Sequence, residues 1–438
     1  MSNLQAYKEY KPVQFDYIDK LPADWKLLPN IAIFQERIER GFIDEELLSV
    51  TIGKGVIKQS ELDKKDSSTL DKSKYLLIHP GDLVYSMRFR QGASGYSNYK
   101  GIVSPACTVL QPKRNIQINP KYFFYVFRTG FYKNYVERFS YGIADGQIPL
   151  RYKDFKRMYS IVPPLETQNA IVEYLDQKTK KIQEFISKKE RLIELLEEQK
   201  KKNITIKLST KNNSKLYYSG IKWIGNIPIG WNVINLKYLV KHKLKYGANE
   251  EAKNADINEP RYIRITDFGY DGKLRNDTYR SLPLNKAKEY LLKEGDILFA
   301  RSGATVGKSF QFKNFTGLAC FAGYLIKATP NEKIILSDYL YLYTQSLFFE
   351  AWKNQIFDKA TIENIGADKY SVLKVIVPPV YEQKEIVKKI IKDSNIFNNS
   401  ISKAKTEITK IKEYQESLIT NIVTGKTKVP ELIANSKL

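Results

Sequence analysis

The sequence has few of the residues that build metal and redox sites. Its 438 residues include two cysteines, Cys107 and Cys320, and two histidines, His79 and His242. Two distant thiols do not make a disulfide framework, and neither histidine has the spacing of a zinc ligand. We interpret the cysteines as buried free thiols and expect no metal site.

Long apolar runs are also missing. No stretch reaches the length of about 18 apolar residues that a helix needs to cross a bilayer. The first ten residues, MSNLQAYKEY, lack the apolar core of a signal peptide. Both absences predict a cytoplasmic protein.

Catalytic motifs are absent as well. There is no nucleophile elbow of the form G-x-S-x-G, and no Asn-Pro-Pro-Tyr or Asp-Pro-Pro-Tyr run of the kind that amino-methyltransferases use. The run GATVGKS at 303–309 resembles a P-loop, but three residues separate its glycines where that motif has four. The residues that follow, 310–312, indicate a strand. We therefore predict a glycine turn carrying Lys308, and no ATP site.

Acidic residues are outnumbered, with 48 Asp and Glu against 71 Lys and Arg and a formal net charge of +23. Cations that neutralise phosphates release bound counterions, so this surplus favours a polyanionic partner. A lysine-rich proteome encoded by an AT-rich genome would raise the charge without any such function. We favour a nucleic acid as the partner.

What the sequence does contain is a twofold internal repeat. YIDKLPADW at 17–25 matches WIGNIPIGW at 223–231, HPGDLVY at 79–85 matches KEGDILF at 293–299, and IVPPL at 161–165 matches IVPPV at 376–380. The offset drifts only from about 206 to about 217, which indicates two copies of one unit. The two cysteines, and Arg88 and Arg301, are interpreted as further matching positions.

Each copy has the same internal order. About 150 strand-rich residues come first, with short helical stretches at 120–130 and 338–352. A Pro-Pro pair closes the domain, because a residue before proline resists helix formation. A long helix follows each pair, and Gly425 is a plausible stop for the second one.

Both long helices carry an apolar seam with alternating steps of four and three residues. Ordinary core packing is the alternative, but two seams at the same place in each copy favour pairing with each other. Because a whole domain intervenes, the helices can run antiparallel. The seam positions are Leu175, Thr179, Ile182, Ile186, Lys189, Ile193 and Leu196 in the first helix, and Ile390, Ser394, Phe397, Ile401, Ala404, Ile408, Ile411, Gln415, Leu418 and Ile422 in the second.

The predicted fold is α+β: two strand-rich domains in tandem repeat, separated by two long helices that form an antiparallel coiled coil. The expected boundaries are an N-terminal arm at 1–16, domain 1 at 17–164, a central helix at 165–208, domain 2 at 209–379, a C-terminal helix at 380–426 and a tail at 427–438.

Candidate DNA contacts are polar or basic residues on turns that project from the strand-rich domains, because base edges are read by hydrogen bonds and phosphates by cations. A solvated charge or a salt bridge is the alternative for each, and Arg88 and Arg301 could instead pair with Asp82 and Asp296. The candidates are Lys54, Arg88, Arg90, Gln91, Arg151, Arg264, Thr266, Arg301, Ser302, Thr305, Lys308 and Lys359.

The ordered, duplicated set of motifs resembles the specificity (S) subunit of type I restriction–modification enzymes. The matching runs are those at 17–25 and 223–231, LSVT at 48–51, the Gly-Asp runs, the two Pro-Pro runs that continue to Gln168 and Gln383, and LITNIVTGK at 418–426. Two features depart from the family pattern: Asp19-Lys20 stands where Gly-Glu or Gly-Asn is usual, and Glu166-Thr167-Gln168 replaces the usual charged-Glu-Gln run.

The resemblance implies that each domain reads one half of a split DNA site and that the helices act as a ruler. It implies two modification subunits that bring S-adenosylmethionine and methylate adenine, and restriction subunits that use ATP and magnesium for translocation and cleavage. No cofactor is expected on this chain. A self-contained restriction enzyme would need catalytic motifs that are absent here, and a structural coiled-coil or RNA-binding scaffold would show no preference for a duplex sequence.

Overall fold

The structure is a computed structural model that describes residues 5–15, 18–62, 71–139, 150–253, 255–269, 274–303, 306–357 and 364–430. The chain divides into two compact units. Unit 1 comprises Met1–Lys189 and Thr406–Leu438, and unit 2 comprises Glu190–Lys405. No helix in the described ranges is long and apolar enough to cross a membrane.

In the domain of unit 1 a run of short strands is followed by three short helices and a last strand. Its strands are β1 (Tyr10–Phe15), β2 (Ile18–Pro22), β3 (Lys26–Pro29), β4 (Phe34–Glu36), β5 (Leu48–Thr51), β6 (Gly55–Lys58), β7 (Leu76–Ile78), β8 (Leu83–Tyr85), β9 (Ser94–Tyr96), β10 (Gly101–Val103), β11 (Thr108–Pro112) and β12 (Tyr159–Val162). Its helices are α1 (Asn30–Ile33), α2 (Pro120–Arg128), α3 (Gly130–Glu137) and α4 (Tyr152–Phe155), and the long helix α5 (Leu165–Ser209) follows.

The domain of unit 2 has a similar order of elements, with ten described strands where unit 1 has twelve. Its strands are β13 (Leu216–Tyr218), β14 (Asn226–Pro228), β15 (Asn232–Asn235), β16 (Lys245–Tyr246), β17 (Arg261–Ile263), β18 (Ile297–Ala300), β19 (Ser309–Gln311), β20 (Ala319–Phe321), β21 (Leu325–Ala328) and β22 (Lys374–Val377). Its helices are α6 (Leu284–Ala287), α7 (Ser337–Tyr343), α8 (Leu347–Phe357) and α9 (Ala367–Ser371), and the long helix α10 (Val380–Val423) follows.

The four-stranded sheet and two strand pairs are repeated in both units, whereas the β5-β6 hairpin of unit 1 has no counterpart among the described strands of unit 2. The four-stranded sheet has the order β4-β11-β8-β9 in unit 1 and β16-β21-β18-β19 in unit 2. The hairpins β1-β2 and β13-β14 correspond, as do the pairs β3-β12 and β15-β22, in which the strand before each Pro-Pro pair returns to the start of its domain. The predicted α+β tandem architecture is confirmed.

The strand register corrects the predicted match between the cysteines. Thr108 pairs with Tyr85 as Ile326 pairs with Phe299, which places Cys107 one residue before β11. Cys320 instead lies inside β20, at the position that Ile102 takes in β10, since Ile102 forms a parallel bridge to Leu47 as Cys320 pairs in parallel with Tyr262. Burial raises the pKa of both thiols to about 12.

Each predicted short helical stretch is two helices. Between α2 and α3 the Thr129 hydroxyl donates to the Val126 carbonyl at 2.6 Å, and between α7 and α8 the Ser346 hydroxyl donates to the Tyr343 carbonyl at 2.7 Å. A hydroxyl that bonds the backbone in this way competes with helical hydrogen bonds. The apolar periodicity continues across the break, which is why the sequence suggested one stretch.

Both long helices enter the core of each unit. In unit 1 the start of α5, with Ile171 and Leu175, shares one apolar cluster with the end of α10, at Leu418 and Ile422. In unit 2 the end of α5 and the start of α10 share another cluster, with Ile204, Leu208, Ile386, Val387 and Ile390. Each unit therefore depends on a segment of both helices.

Polar pairs show that the helices run antiparallel within each unit. In unit 1 Lys189 lies 2.6 Å from Glu407. In unit 2 Lys200 donates to Asn398 at 2.8 Å and Lys207 lies 3.0 Å from Asp393, so residue numbers fall on α10 as they rise on α5. The predicted seam positions are all buried or half-buried, and they are Ile182, Ile186, Ile193, Leu196, Phe397, Ile401, Ile408, Ile411 and Leu418.

A buried glutamine joins each long helix to its domain. Gln168 accepts the backbone N–H of Asn119 at 2.9 Å and donates to the Pro163 carbonyl at 2.8 Å. Gln383 accepts the backbone N–H of Leu336 at 2.8 Å. Its amide group also donates to the Ile334 carbonyl at 2.9 Å and to the Pro378 carbonyl at 2.8 Å.

A second set of hydrogen bonds, centred on Glu382, joins the start of α10 to the domain of unit 2. The Trp231 indole donates to Glu382 at 3.0 Å, and Lys211 donates to the same carboxylate at 2.9 Å. Burial alone would raise the pKa of Glu382, but these hydrogen bonds hold it below its usual value. In unit 1 the position of Glu382 is taken by Thr167, and the buried Trp25 Nε1 has no hydrogen-bond partner in the described chain.

Both ends of the described chain meet in unit 1. The Tyr10 hydroxyl donates to the Gly425 carbonyl at 3.0 Å, and the Lys428 backbone N–H donates to the Gln5 carbonyl at 2.6 Å. The N-terminal strand region therefore closes over the end of α10.

We expect Gln168→Ala to destabilise unit 1 by about 2–3 kcal/mol, because it removes the partner of the half-buried Asn119 N–H and of the buried Pro163 carbonyl. Thermal unfolding of the full-length chain measures the effect. Gln177→Ala, at an exposed position on the same helix, is the control and should change the midpoint little. Equal midpoints for the two variants would contradict the assigned role.

We expect Thr167→Glu to stabilise unit 1 by about 1 kcal/mol, because it supplies a charged acceptor for the buried Trp25 Nε1. A carboxyl that gains such a partner has a lowered folded pKa, so its contribution is present above its unfolded pKa of about 4.3 and is lost as the pH falls. Unfolding at neutral and acidic pH tests this, and Thr167→Gln, which cannot ionise, should show no such loss.

Candidate nucleic-acid interface

The turn after β8 presents basic residues in unit 1. Arg88 is exposed, and its guanidinium has no ion-pair partner in the described part of the chain. Arg90 lies 2.7 Å from Glu137, and Gln91 is exposed at the end of the 3-10 turn that follows Arg88. Of this set Arg88 is the residue most available to a ligand.

Two other candidates of unit 1 are also exposed. Lys54 lies in the turn between β5 and β6, flanked by Gly53 and Gly55, whose φ angles of 89° and 78° are in the left-handed region that favours glycine. Arg151 directly precedes α4.

The equivalent turn of unit 2 is built differently. The Arg301 guanidinium lies 4.9 Å from the centre of the Tyr246 ring, and its buried Nε has no acceptor among the described residues. Ser302 forms a β-bridge with Asn364. Lys308 is exposed, whereas Thr305 and Lys359 lie outside the described residues.

Arg264 is held by its own turn. Its Nη2 lies 3.1 Å from the carboxylate of buried Asp267, whose oxygen also accepts the Arg264 backbone N–H at 2.7 Å. Arg264 therefore forms a salt bridge within the protein, which was the alternative to a DNA contact for this residue. Its neighbour Thr266 is exposed.

Arg88 and Arg301 do not occupy matching positions. Because Tyr85 and Phe299 correspond in register, Arg301 aligns with Met87 and Arg88 lies one residue further on. Neither arginine pairs with the Gly-Asp carboxylate: Arg37 lies 3.4 Å from Asp82, and Lys327 lies 3.9 Å from Asp296. Each of these aspartates instead caps its turn through a backbone N–H.

Both turns rest on a lysine that the sequence analysis missed. A Cβ on Gly92 would lie 3.3 Å from the Lys133 side chain, and one on Gly307 would lie 2.3 Å from that of Lys353. Burial lowers the pKa of Lys353, and the positive charges of Lys201 and Lys308 act in the same direction. These lysines come from α3 and α8, 41 residues after Gly92 and 46 residues after Gly307, so no local motif reveals them.

The P-loop-like run has no phosphate-binding helix after it. Ser309–Gln311 form β19, which pairs with β18, so the predicted strand is confirmed. Gly307 donates its backbone N–H to Ala300 at 2.9 Å, which closes the hairpin turn.

A family model of the type I restriction modification DNA specificity domain matches residues 52–197 and 228–412. The two matches fall one in each copy of the repeat, and together they cover more than half of the chain. The chain belongs to this family. The predicted identity, a DNA specificity subunit with two tandem specificity domains, is confirmed.

Two relatives match most of the chain. The StySPI type I restriction enzyme specificity subunit of Salmonella potsdam is 21% identical over 430 residues, covering 93% of this chain and 90% of that protein. The MjaVIII specificity subunit of Methanocaldococcus jannaschii is 23% identical over 368 residues, covering 82% of each.

A solved structure shares the fold. It was described in work on complex assembly and conformational transition of the type I R-M system, and it has a TM-score of 0.65 and 16% identity. The match covers 92% of this chain and 99% of that one.

We expect Arg88→Ala to weaken DNA binding by about 1–3 kcal/mol and to relax base preference at one position, if the arginine pairs with guanine. Competition between duplexes of defined sequence measures both effects. Arg264→Ala is the contrast, because loss of the Asp267 pair should lower thermal stability first. A uniform loss of affinity in Arg88→Ala would show a phosphate contact and contradict base reading.

Proposed function

We propose that this specificity subunit reads a bipartite DNA site, one half-site with each domain, and performs no catalysis itself. The observation that carries the proposal is the duplication. The two domains share sheet order, Gly-Asp turn and glutamine contact, and each copy matches the specificity-domain model. Two readers joined in one chain suit a site made of two unlike halves.

The charge of the chain supports DNA as the ligand. The net charge is +23, and exposed cations lie on turns of each domain, at Lys54, Arg88 and Lys308. Cations of this kind bind phosphates and set the position of a protein on the duplex, while a smaller number of side chains read the bases.

The paired helices are proposed to keep the spacing of the half-sites constant. A helix of 45 residues, such as α5, is roughly 66 Å long at 1.5 Å per residue. This exceeds the 34–36 Å between half-sites that are one turn of B-DNA apart. The antiparallel polar pairs fix the register of the two helices and so support a constant spacer.

The proposed partners are two methyltransferase subunits and the restriction subunits of a type I complex. S-adenosylmethionine, ATP and magnesium would bind to those subunits, and the target adenine would be flipped into the methyltransferase. This chain would recognise the DNA sequence and hold its partner subunits in position on the DNA. The name of the StySPI relative, a subunit of a type I restriction enzyme, supports this division of labour.

Selection from random duplexes tests the proposal. The full-length chain, with methyltransferase subunits, should select two half-sites separated by a constant spacer. Exchanging residues 17–164 for those of a relative should change one half-site and leave the other and the spacer unaltered.

Three outcomes would contradict the proposal. If both half-sites changed together, the two domains would not read DNA independently. If the spacer varied, the helices would not set the distance between the half-sites. Binding without any selected sequence would favour the structural or RNA-binding scaffold.

A further inference from the structure

The two domains differ most clearly at one point of their shared scaffold. Leu47 and Tyr262 are equivalent, because they form parallel bridges to Ile102 and Cys320 respectively. After Leu47 the chain makes the hairpin β5-β6, whereas after Tyr262 the strand ends and a 3-10 turn, Ile265–Asp267, follows. The strands around this position correspond in the two units. The hairpin in unit 1 and the 3-10 turn in unit 2 are therefore where the two domains can differ in the DNA sequence they read.

The hairpin is seated firmly on the sheet. β6 packs against β9, and Val56 is buried there. A Cβ on Gly95 would lie 2.5 Å from the Val56 backbone nitrogen, so only glycine permits this approach. The hairpin therefore projects from a fixed base.

The tip of the hairpin presents an apolar side chain between polar ones. We call residues 51–55 the hairpin tip. Ile52 is 51% exposed and lies two residues from the exposed Lys54. Gly53 and Gly55 allow the tight turn.

An arginine from α2 holds this tip. Arg128 donates a hydrogen bond to the Gly53 carbonyl, and its guanidinium lies 5.0 Å from the centre of the Phe124 ring. Arg128 is half-buried and has no carboxylate partner in the described part of the chain. The contact fixes the backbone at the apex, beside Ile52.

The tip lies at the edge of the domain that carries Arg88. The built Cβ position of Gly95 is 2.9 Å from Gly55, and Gly95 follows the Arg88 turn by only three residues. Arg114 lies at the other end of the sheet, because β11 runs antiparallel to β8 and ends beside the start of β8. The base of the hairpin therefore packs against β9, the strand that follows the Arg88 turn.

Resting on the proposed DNA-reading function, we propose that the hairpin tip reads part of the first half-site. Ile52 makes an apolar contact with base edges, such as the methyl group of thymine, and Lys54 contacts a phosphate. Arg128 is a positioning residue, because it acts through the Gly53 carbonyl and does not touch the bases.

The test uses the full-length chain with its methyltransferase subunits and a duplex library in which both half-sites vary. The variants are Ile52→Ala, Arg128→Met and the double variant, and Arg114→Ala is the control that removes a charge from the far end of the same domain. Ile52→Ala and Arg128→Met should each reduce discrimination at the same base position of the first half-site, by about 5- to 100-fold, the usual effect of a mismatch. The second half-site should be unaltered.

The double variant shows whether Arg128 acts by positioning the hairpin tip or by contacting DNA itself. If Arg128 acts through the tip, Ile52→Ala with Arg128→Met should be no worse than Ile52→Ala alone. Unaltered discrimination at the first half-site would overturn the proposal, and so would an equal loss of affinity for every duplex in Arg128→Met. A wild-type chain that selects no site would instead overturn the proposed function.

A stability control keeps the test decisive. Thermal unfolding is measured for each variant, and Arg128→Lys replaces Arg128→Met if the latter unfolds. We expect the same loss of discrimination from lysine, because an ammonium group does not reproduce a planar group that stacks on a ring while donating to a carbonyl. Full discrimination in a folded Arg128→Lys variant would contradict the positioning role.

Discussion

The structure depends on two buried glutamines at the starts of the long helices. A primary amide has two donors and an acceptor, so one side chain can bond both to the backbone just before the helix and to a backbone group in the domain. Gln168 and Gln383 use this capacity in the same way. The direction in which each helix leaves its domain is thereby coupled to the fold of the domain, and the coiled-coil pairing follows from that direction.

This coupling separates the parts of the chain that must be constant from the parts that can vary. Sheet order, the aspartate-capped turn and the helix start are alike in both copies, although their residues differ. Variation is concentrated beyond the strand ends, where unit 1 has a hairpin and unit 2 has a 3-10 turn. Even the constant parts differ in detail: unit 1 has Thr167 at the position of Glu382, and the Trp25 indole N–H has no hydrogen-bond partner among the described residues.

Periodicity and repetition made the architecture predictable from sequence. The seam, the two Pro-Pro runs and the Gly-Asp turns are local patterns that can be read directly from the sequence. The match between the cysteines was wrong because a loop of different length shifts the alignment between β9 and β10, which only pairing partners reveal. Site residues were least predictable: Arg128, Lys133 and Lys353 reach their turns through tertiary contacts, and Arg90 and Arg264 are engaged by acids that no motif associates with them.

The division of the chain into units has a consequence for synthesis. Unit 2 is one continuous segment, Glu190–Lys405, whereas unit 1 needs Thr406–Leu438 to complete its core. Domains generally fold from the N-terminus as the chain leaves the ribosome. Unit 2 is therefore complete as soon as Lys405 has been translated, whereas part of the apolar core of unit 1 stays uncovered until the residues after Lys405 follow.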